Sequence, residues 1–145
     1  MNDEKKEKLQ ELYLKLQFLH EQIKEIEKQT QLFNNQIVEL TLTTQSLDDF
    51  KNIKEGTEIL VPINQGMYAK AELKDNKDLL VNVGSNVSVK KNIEDTKKLI
   101  NKQIEEIKKI QEQMVLNLQK LTSQASLIEK DINNLSSKNK NVQVL

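Results

Sequence analysis

The chain has 145 residues, 37% of them apolar, 3% aromatic and 30% charged, with three glycines and one proline, a balance that suits one domain and leans toward long helices rather than a large self-contained core. All 22 basic residues are lysines and they meet 22 acids, so there is no electrostatic footprint for nucleic acid and no arginine to clamp a phosphate or carboxylate. Without cysteine, disulfides and thiolate metal sites are excluded; with no long apolar run for a membrane span and a charged start, MNDEKKEKLQ, that lacks a signal-peptide core, a cytoplasmic protein is expected.

From Leu9 the apolar positions advance in steps of three and four: Leu9, Leu12, Leu16, Leu19, Ile23, Ile26, Thr30, Phe33, Ile37, Leu40, Thr44 and Leu47. Only the two threonines break the stripe. With Leu9 at heptad position a and Leu12 at d, the register holds without a skip, which is the seam of a coiled coil.

Beyond this arm the period changes to two. Ile59, Val61 and Ile63 alternate, then Met67, Ala69, Ala71 and Leu73, then Leu79, Val81 and Val83, then Val87 and Val89, which predicts four short strands. Turn residues separate them at Asn64 to Gly66, Asp75 to Lys77 and Gly84 to Asn86. Pro62 has no N–H for a ladder and belongs at an edge or strand end. Two successive hairpins of roughly 40 residues bury too little to stand alone, and their free edges invite strands from other chains. The middle segment is therefore expected to drive oligomerisation, with Ile59, Val61, Ile63, Leu73, Val81, Val83, Val87 and Val89 forming the joined head.

A second seam follows: Ile93, Lys97, Ile100, Ile104, Ile107, Gln111, Met114, Leu118, Leu121, Ala125, Ile128, Ile132 and Leu135. Asn92 is placed to cap this helix, and Glu94 and Asp95 put negative charge in its first turn. Arms of about 40 residues would each extend on the order of 60 Å. The short middle segment favours pairing within the chain, so the arms are expected to run antiparallel. Matching a to d then sets Leu9 opposite Leu135, Ile23 opposite Leu121 and Ile37 opposite Ile107. Thr30 and Gln111 fall in adjacent layers, as do Thr44 and Lys97, and such polar interruptions fix register at some cost in stability.

The predicted fold class is α+β: a long antiparallel two-helix coiled coil with two central β-hairpins that complete a β-barrel head in an oligomer. Residues 1–50 form the N-terminal coiled-coil helix, 51–91 the two hairpins of the oligomerisation head, and 92–145 the C-terminal coiled-coil helix with a short tail, all within one domain.

Covalent chemistry finds no foothold. His20 is the only histidine; at an e position beside the seam it reads as a partly solvated helix residue, because acid–base work needs partners that the pattern does not supply. The serines lack a nucleophile elbow. Asp48 with Asp49, and the group Asp75 to Asp78, read as a helix exit and a hairpin turn, since their spacing is not that of an EF-hand. Gly56, Gly66 and Gly84 form no phosphate-binding loop. No enzyme, metal or cofactor is expected.

More informative are apolar residues off the seams. Tyr13, Leu14 and Phe18 on the first arm lie near the level of Leu127 on the second, and the tail adds Val142, Val144 and Leu145. With the end-seam residues Leu9, Leu12, Ile132 and Leu135, they make a candidate patch toward the open end, where unfolded polypeptides can be held weakly at many points without ATP. Ile110, Val115 and Leu116 pose the same question farther inward.

The stretch from Glu58 to Ile100, EILVPINQGMYAKAELKDNKDLLVNVGSNVSVKKNIEDTKKLI, resembles the α class of the prefoldin family, in particular its archaeal type. The E-x-LVP opening, the glycine step into Tyr68, the A-E-L-K-D turn, the V-x-V-G turn and the K-K-N-x-E-D helix entry carry the resemblance; Gly84-Ser85-Asn86 replaces the usual G-x-G. Two hairpins rather than one point to the α class. The resemblance implies a hexamer of two α and four β subunits with β-barrel heads and coiled-coil tentacles. It further implies capture of unfolded client proteins at the tentacle ends and transfer to a group II chaperonin. The competing expectation is a structural coiled-coil tether or filament subunit that binds no client.

Overall fold

The computed structural model of the chain describes residues 2–143, with side chains described for 2–137. The elements run α1 (Asp3–Lys51), β1 (Glu58–Asn64), β2 (Met67–Glu72), β3 (Asp78–Gly84), β4 (Val87–Asn92) and α2 (Ile93–Gln143). Both helices are free of glycine and proline and are dominated by strong helix formers, which lets them run uninterrupted. Where threonines crowd α1, their hydroxyls are absorbed by the helix itself: Thr41, Thr43 and Thr44 donate to the carbonyls of Ile37, Glu39 and Leu40 at 2.7, 2.8 and 3.1 Å. The described chain forms two compact units: the segment up to Asn34 with the segment from Lys108 onward, and Asn35–Ile107. No helix among the described residues is long and apolar enough to cross a membrane.

The first unit is a helical pair held by its seam. Along α1 the half-buried positions from Leu9 to Phe33 are the predicted a and d sites, and every residue between them is exposed. On α2, Ala125 and Ile132 are buried, while Met114, Leu118, Leu121, Ile128 and Leu135 are half-buried. Two helices can cover only one stripe of each other, so the seam is the whole of the core here. The antiparallel matching is as expected from the heptads. The Thr30 hydroxyl donates to Met114 Sδ at 3.8 Å, and Gln111 Nε2 donates to Asn34 Oδ1 at 2.7 Å.

In the second unit a seam of Ile37, Leu40, Thr44 and Leu47 faces Ile93, Lys97, Ile100, Ile104 and Ile107, with Ile93 and Ile100 buried. Asn92 caps α2 as its sequence position predicts: Asp95 N donates to Asn92 Oδ1 at 2.7 Å, and the buried Thr96 hydroxyl donates to the Asn92 carbonyl at 2.8 Å. The exit of α1 is tied down from a distance. Asn76, between the hairpins, donates its side-chain amide to the carbonyls of Lys51 and Ile53 at 3.3 and 2.8 Å, satisfying acceptors that a helix end leaves open.

The strands pair only as hairpins, β1 with β2 and β3 with β4, both antiparallel and in separate two-stranded sheets. Leu73 follows β2 but extends its ladder: its N–H donates to Thr57 O at 3.0 Å, and Gly56 N donates to Leu73 O at 2.7 Å. Both ladders skip a residue near the tip, between Pro62 and Asn64 and between Asn82 and Gly84. Strict alternation therefore fails at Ile63 and Val83, because a bulge takes each of them out of the ladder. Pro62 lies inside β1, opposite Tyr68, rather than at the strand end; in a two-stranded sheet every strand is an edge, so its missing N–H costs no neighbour. At the second tip Ser85 and Asn86 have φ of 51° and 60°, the paired left-handed geometry of the tight hairpin turn whose twist suits the strands.

Candidate interaction surfaces

On the unit built from the helix ends, Phe18 and Leu127 do come together. With Lys15, Leu19, Gln124 and Ile128 they line an open groove of about 380 Å³ whose walls are almost entirely carbon. Phe18 and Leu127 remain 60% and 62% exposed, so the groove is offered to solvent rather than filled by the chain itself.

The other members of the predicted patch lie elsewhere. Leu14 and Tyr13 are exposed but do not line this groove. Tyr13 is an e residue and Leu14 an f residue, whereas the groove is walled by the g residues Lys15 and Gln124; in an antiparallel pair e and g flank the seam on opposite sides. Leu9, Leu12 and Leu135 are half-buried and Ile132 is buried. Those four side chains lie in the interhelical seam, where Ile132 is covered and Leu9, Leu12 and Leu135 keep part of their surface exposed. The Val142 side chain, Val144 and Leu145 lie outside the described residues. His20 Nε2 is 3.6 Å from Glu129 Oε1, an exposed pair that joins the arms when the imidazole is protonated.

A second groove, of about 580 Å³, is lined by Thr30, Asn34, Lys108, Gln111, Glu112, Val115 and Leu116. Asn34, Lys108 and Val115 are e residues, which places it on the side of the seam away from Phe18 and Leu127.

The hairpins present apolar side chains on both faces. Pairing sets Ile59 opposite Ala71 and Val61 opposite Ala69 on one face, with Leu60 opposite Lys70 and Pro62 opposite Tyr68 on the other. The second hairpin pairs Val81 with Val89 on one face and Leu80 with Lys90 on the other. Of the predicted head residues, Leu73 is buried within the chain, Ile59 and Val81 are half-buried, and Val61, Ile63, Val83, Val87 and Val89 are exposed. Leu60, Tyr68 and Leu80, 62%, 61% and 80% exposed, were not anticipated by the alternating pattern. Their signal is the unbroken run Ile59-Leu60-Val61-Pro62-Ile63, together with Leu79-Leu80-Val81: continuous apolar strands belong to sheets covered on both faces.

Close to the hairpins, Lys97 interrupts the seam and is neutralised there. Its Nζ lies 2.7 Å from Asp48 Oδ1, and that hydrogen bond, opposed by lost hydration and helped by the charges of Asp48 and Glu94, raises the Lys97 pKa above its ordinary value. Asp48 is thus an ion-pair partner, and Asp75 accepts from Lys77 N at 2.8 Å within the turn. Among the described residues no group of three or more His, Asp or Glu side chains is placed to hold a metal ion.

Comparison with known proteins agrees with this geometry. The family model described as Prefoldin subunit matches residues 19–138. A prefoldin subunit alpha from Methanosphaera stadtmanae is 31% identical over 97 residues, 67% of this chain and 69% of that protein. Those from Thermofilum pendens and Methanobrevibacter smithii are 32% and 33% identical over 79 and 78 residues, 54% of this chain in each case. The matched segments span 61% and 53% of those two relatives. A chain from the cryo-EM structure of filamentous PFD of Methanocaldococcus jannaschii superposes with a TM-score of 0.58 at 20% identity, covering 90% of this chain and 96% of that one.

Proposed function

Because the chain belongs to the prefoldin subunit family, we propose that it is an α-class chaperone subunit that holds unfolded polypeptides without ATP. In this reading the hairpins join β-class subunits, two α with four β, and the arms present client proteins for transfer to a group II chaperonin in the cytoplasm. The observation that carries the client role is the open carbon-walled groove between Phe18 and Leu127. Unfolded chains expose apolar side chains, and several arms with one such groove each retain a client by avidity although each contact is weak. The client surface is accordingly Phe18 and Leu127, with the exposed Tyr13 and Leu14 as separate contacts outside that groove, while Leu9, Leu12, Ile132 and Leu135 serve by keeping the helices paired. Val142, Val144 and Leu145 remain part of the proposal as tail contacts.

The assembly role rests on the exposed apolar hairpins with their unpaired edges, which demand strands from neighbours. No step of this function makes or breaks a covalent bond. The test is to mix the chain with its β-class partner and a chemically denatured client and to follow assembly by mass and client aggregation by light scattering. A hexamer that suppresses aggregation, and loses this ability on Phe18→Ser with Leu127→Ser while still assembling, is the expected result. The competing tether or filament role has support in the same open edges and in the filamentous description of the similar cryo-EM structure. It is favoured if the chain polymerises alone and leaves client aggregation unchanged.

A further inference from the structure

The two hairpins repeat one pairing scheme twenty residues apart. Leu60 with Lys70 and Pro62 with Tyr68 in the first return as Leu80 with Lys90 and Asn82 with Ser88 in the second, and each ladder skips the next residue. Leu73 N donates to Thr57 O, which fixes the parity of the first ladder: Ile59 and Val61 turn their main-chain groups to β2, while Glu58, Leu60 and Pro62 turn theirs outward. The matching register gives Asp78, Leu80 and Asn82 the outward places on β3. Here the copies part. β3 offers three outward N–H groups, whereas Pro62 offers none and its ring stands toward the place, about 4.8 Å away, that a further strand would occupy. The opposite edge of the second hairpin is shortened, because Asn92 accepts from the Thr96 hydroxyl on its carbonyl and from Asp95 N on its side chain.

We infer that β3, along Asp78 to Asn82, is the edge to which a strand from a neighbouring subunit's hairpin adds, and that Pro62 shuts the equivalent edge of β1. The inference rests on the assembly role proposed above and names the strand that carries it. A strand is the occupant that these observations fit. Unpaired N–H and C=O groups at strand spacing call for main-chain partners, and the apolar run Leu79-Leu80-Val81, with Leu80 80% exposed, calls for a sheet broad enough to be covered on both faces. Closing β1 has its own consequence. With two equivalent open edges, the β1 of one chain would join the β3 of the next head to tail, a contact that repeats without closing. Pro62 removes one of the two, so growth of this kind ends after one addition.

The test uses the full chain assembled with its β-class subunit. Amide hydrogen exchange is compared before and after assembly: Leu80 and Asn82 are expected to slow by at least about tenfold, as amides newly bonded between strands do, and Leu60 by less than about twofold. Asn82→Pro is expected to raise the concentration at which the complex dissociates by at least about tenfold. Asn82→Ala keeps the N–H and loses only the side-chain acceptor of Gly84 N, so it is expected to change that concentration by no more than about twofold. The exchange comparison needs no substitution and stands even where Asn82→Pro loosens the hairpin. Pro62→Asn is expected to add species heavier than the unaltered complex in light scattering after gel filtration. Equal slowing at Leu60 and Leu80, equal dissociation of the Asn82→Pro and Asn82→Ala complexes, or an unchanged mass on Pro62→Asn each overturns the inference and leaves the assembly role standing. Failure of the unaltered chain to form any complex removes both.

Discussion

Lys97 Nζ and Asp48 Oδ1 meet at 2.7 Å, so that a lysine at a seam position is neutralised by an exposed carboxylate flanking the seam. The bond raises the Lys97 pKa, so protons are held more tightly in the folded chain than in the unfolded one. Its contribution to stability is fully present below the ordinary lysine value, about 10.4, and disappears as pH climbs through the higher folded value. The gap in urea midpoint between the unaltered chain and Asp48→Asn is expected to be constant well below the ordinary lysine value and to close as pH climbs through the raised folded value. A gap that persists unchanged at high pH would show that the pair does not couple protonation to folding.

Ile132 and Phe18 are both large apolar residues of the same unit, but the seam takes one and solvent the other. At 6% exposure, Ile132→Ala is expected to cost about 2 kcal/mol, the low end for buried aliphatic truncation because only two helices surround it. Phe18→Ser, at 60% exposure, is expected to change stability by less than about 0.5 kcal/mol. Urea unfolding followed by circular dichroism distinguishes them; equal losses would place Phe18 in the core.

The seams, their antiparallel matching and the Asn92 cap were legible because heptad period and capping chemistry are local properties of the sequence. So was each hairpin turn. Grouping off-seam residues by their level along the arms placed Tyr13 with Phe18 and Leu127, whereas the heptad letters put Tyr13 on the other side of the seam from the groove they line. Alternation likewise named one face of each hairpin and passed over Leu60, Tyr68 and Leu80 on the other. The bulges that displace Ile63 and Val83 depend on tip geometry, which a two-residue period does not encode.

Ser85 shows how that tip geometry can be measured. Its φ of 51° is a left-handed conformation that costs an L-residue with a Cβ roughly 1 kcal/mol, and Asn86 beside it tolerates the same region better. Ser85→Gly is expected to stabilise the second hairpin by about 0.5 to 1 kcal/mol and Asn86→Val to destabilise it by at least as much. Amide hydrogen exchange across the Val81–Val89 pair reads the effect locally. Slower exchange on Asn86→Val than in the unaltered chain would contradict the turn assignment.

Assembly offers the sharpest use of the two-faced hairpin. Val61 and Leu60 are neighbours on β1, pointing to opposite faces, and both are exposed. If the proposed oligomer closes a barrel around one face only, a charge on that face is excluded from an apolar interior, whereas a charge on the other remains in water. Val61→Lys is therefore expected to reduce the oligomer to isolated chains, measured by light scattering after gel filtration, with its helical content unchanged. Leu60→Lys separates the remaining possibilities. An intact oligomer leaves Leu60, Pro62 and Tyr68 as an outer apolar surface of the head; dissociation means that a neighbour covers this face too, as the continuous apolar run of β1 leads one to expect.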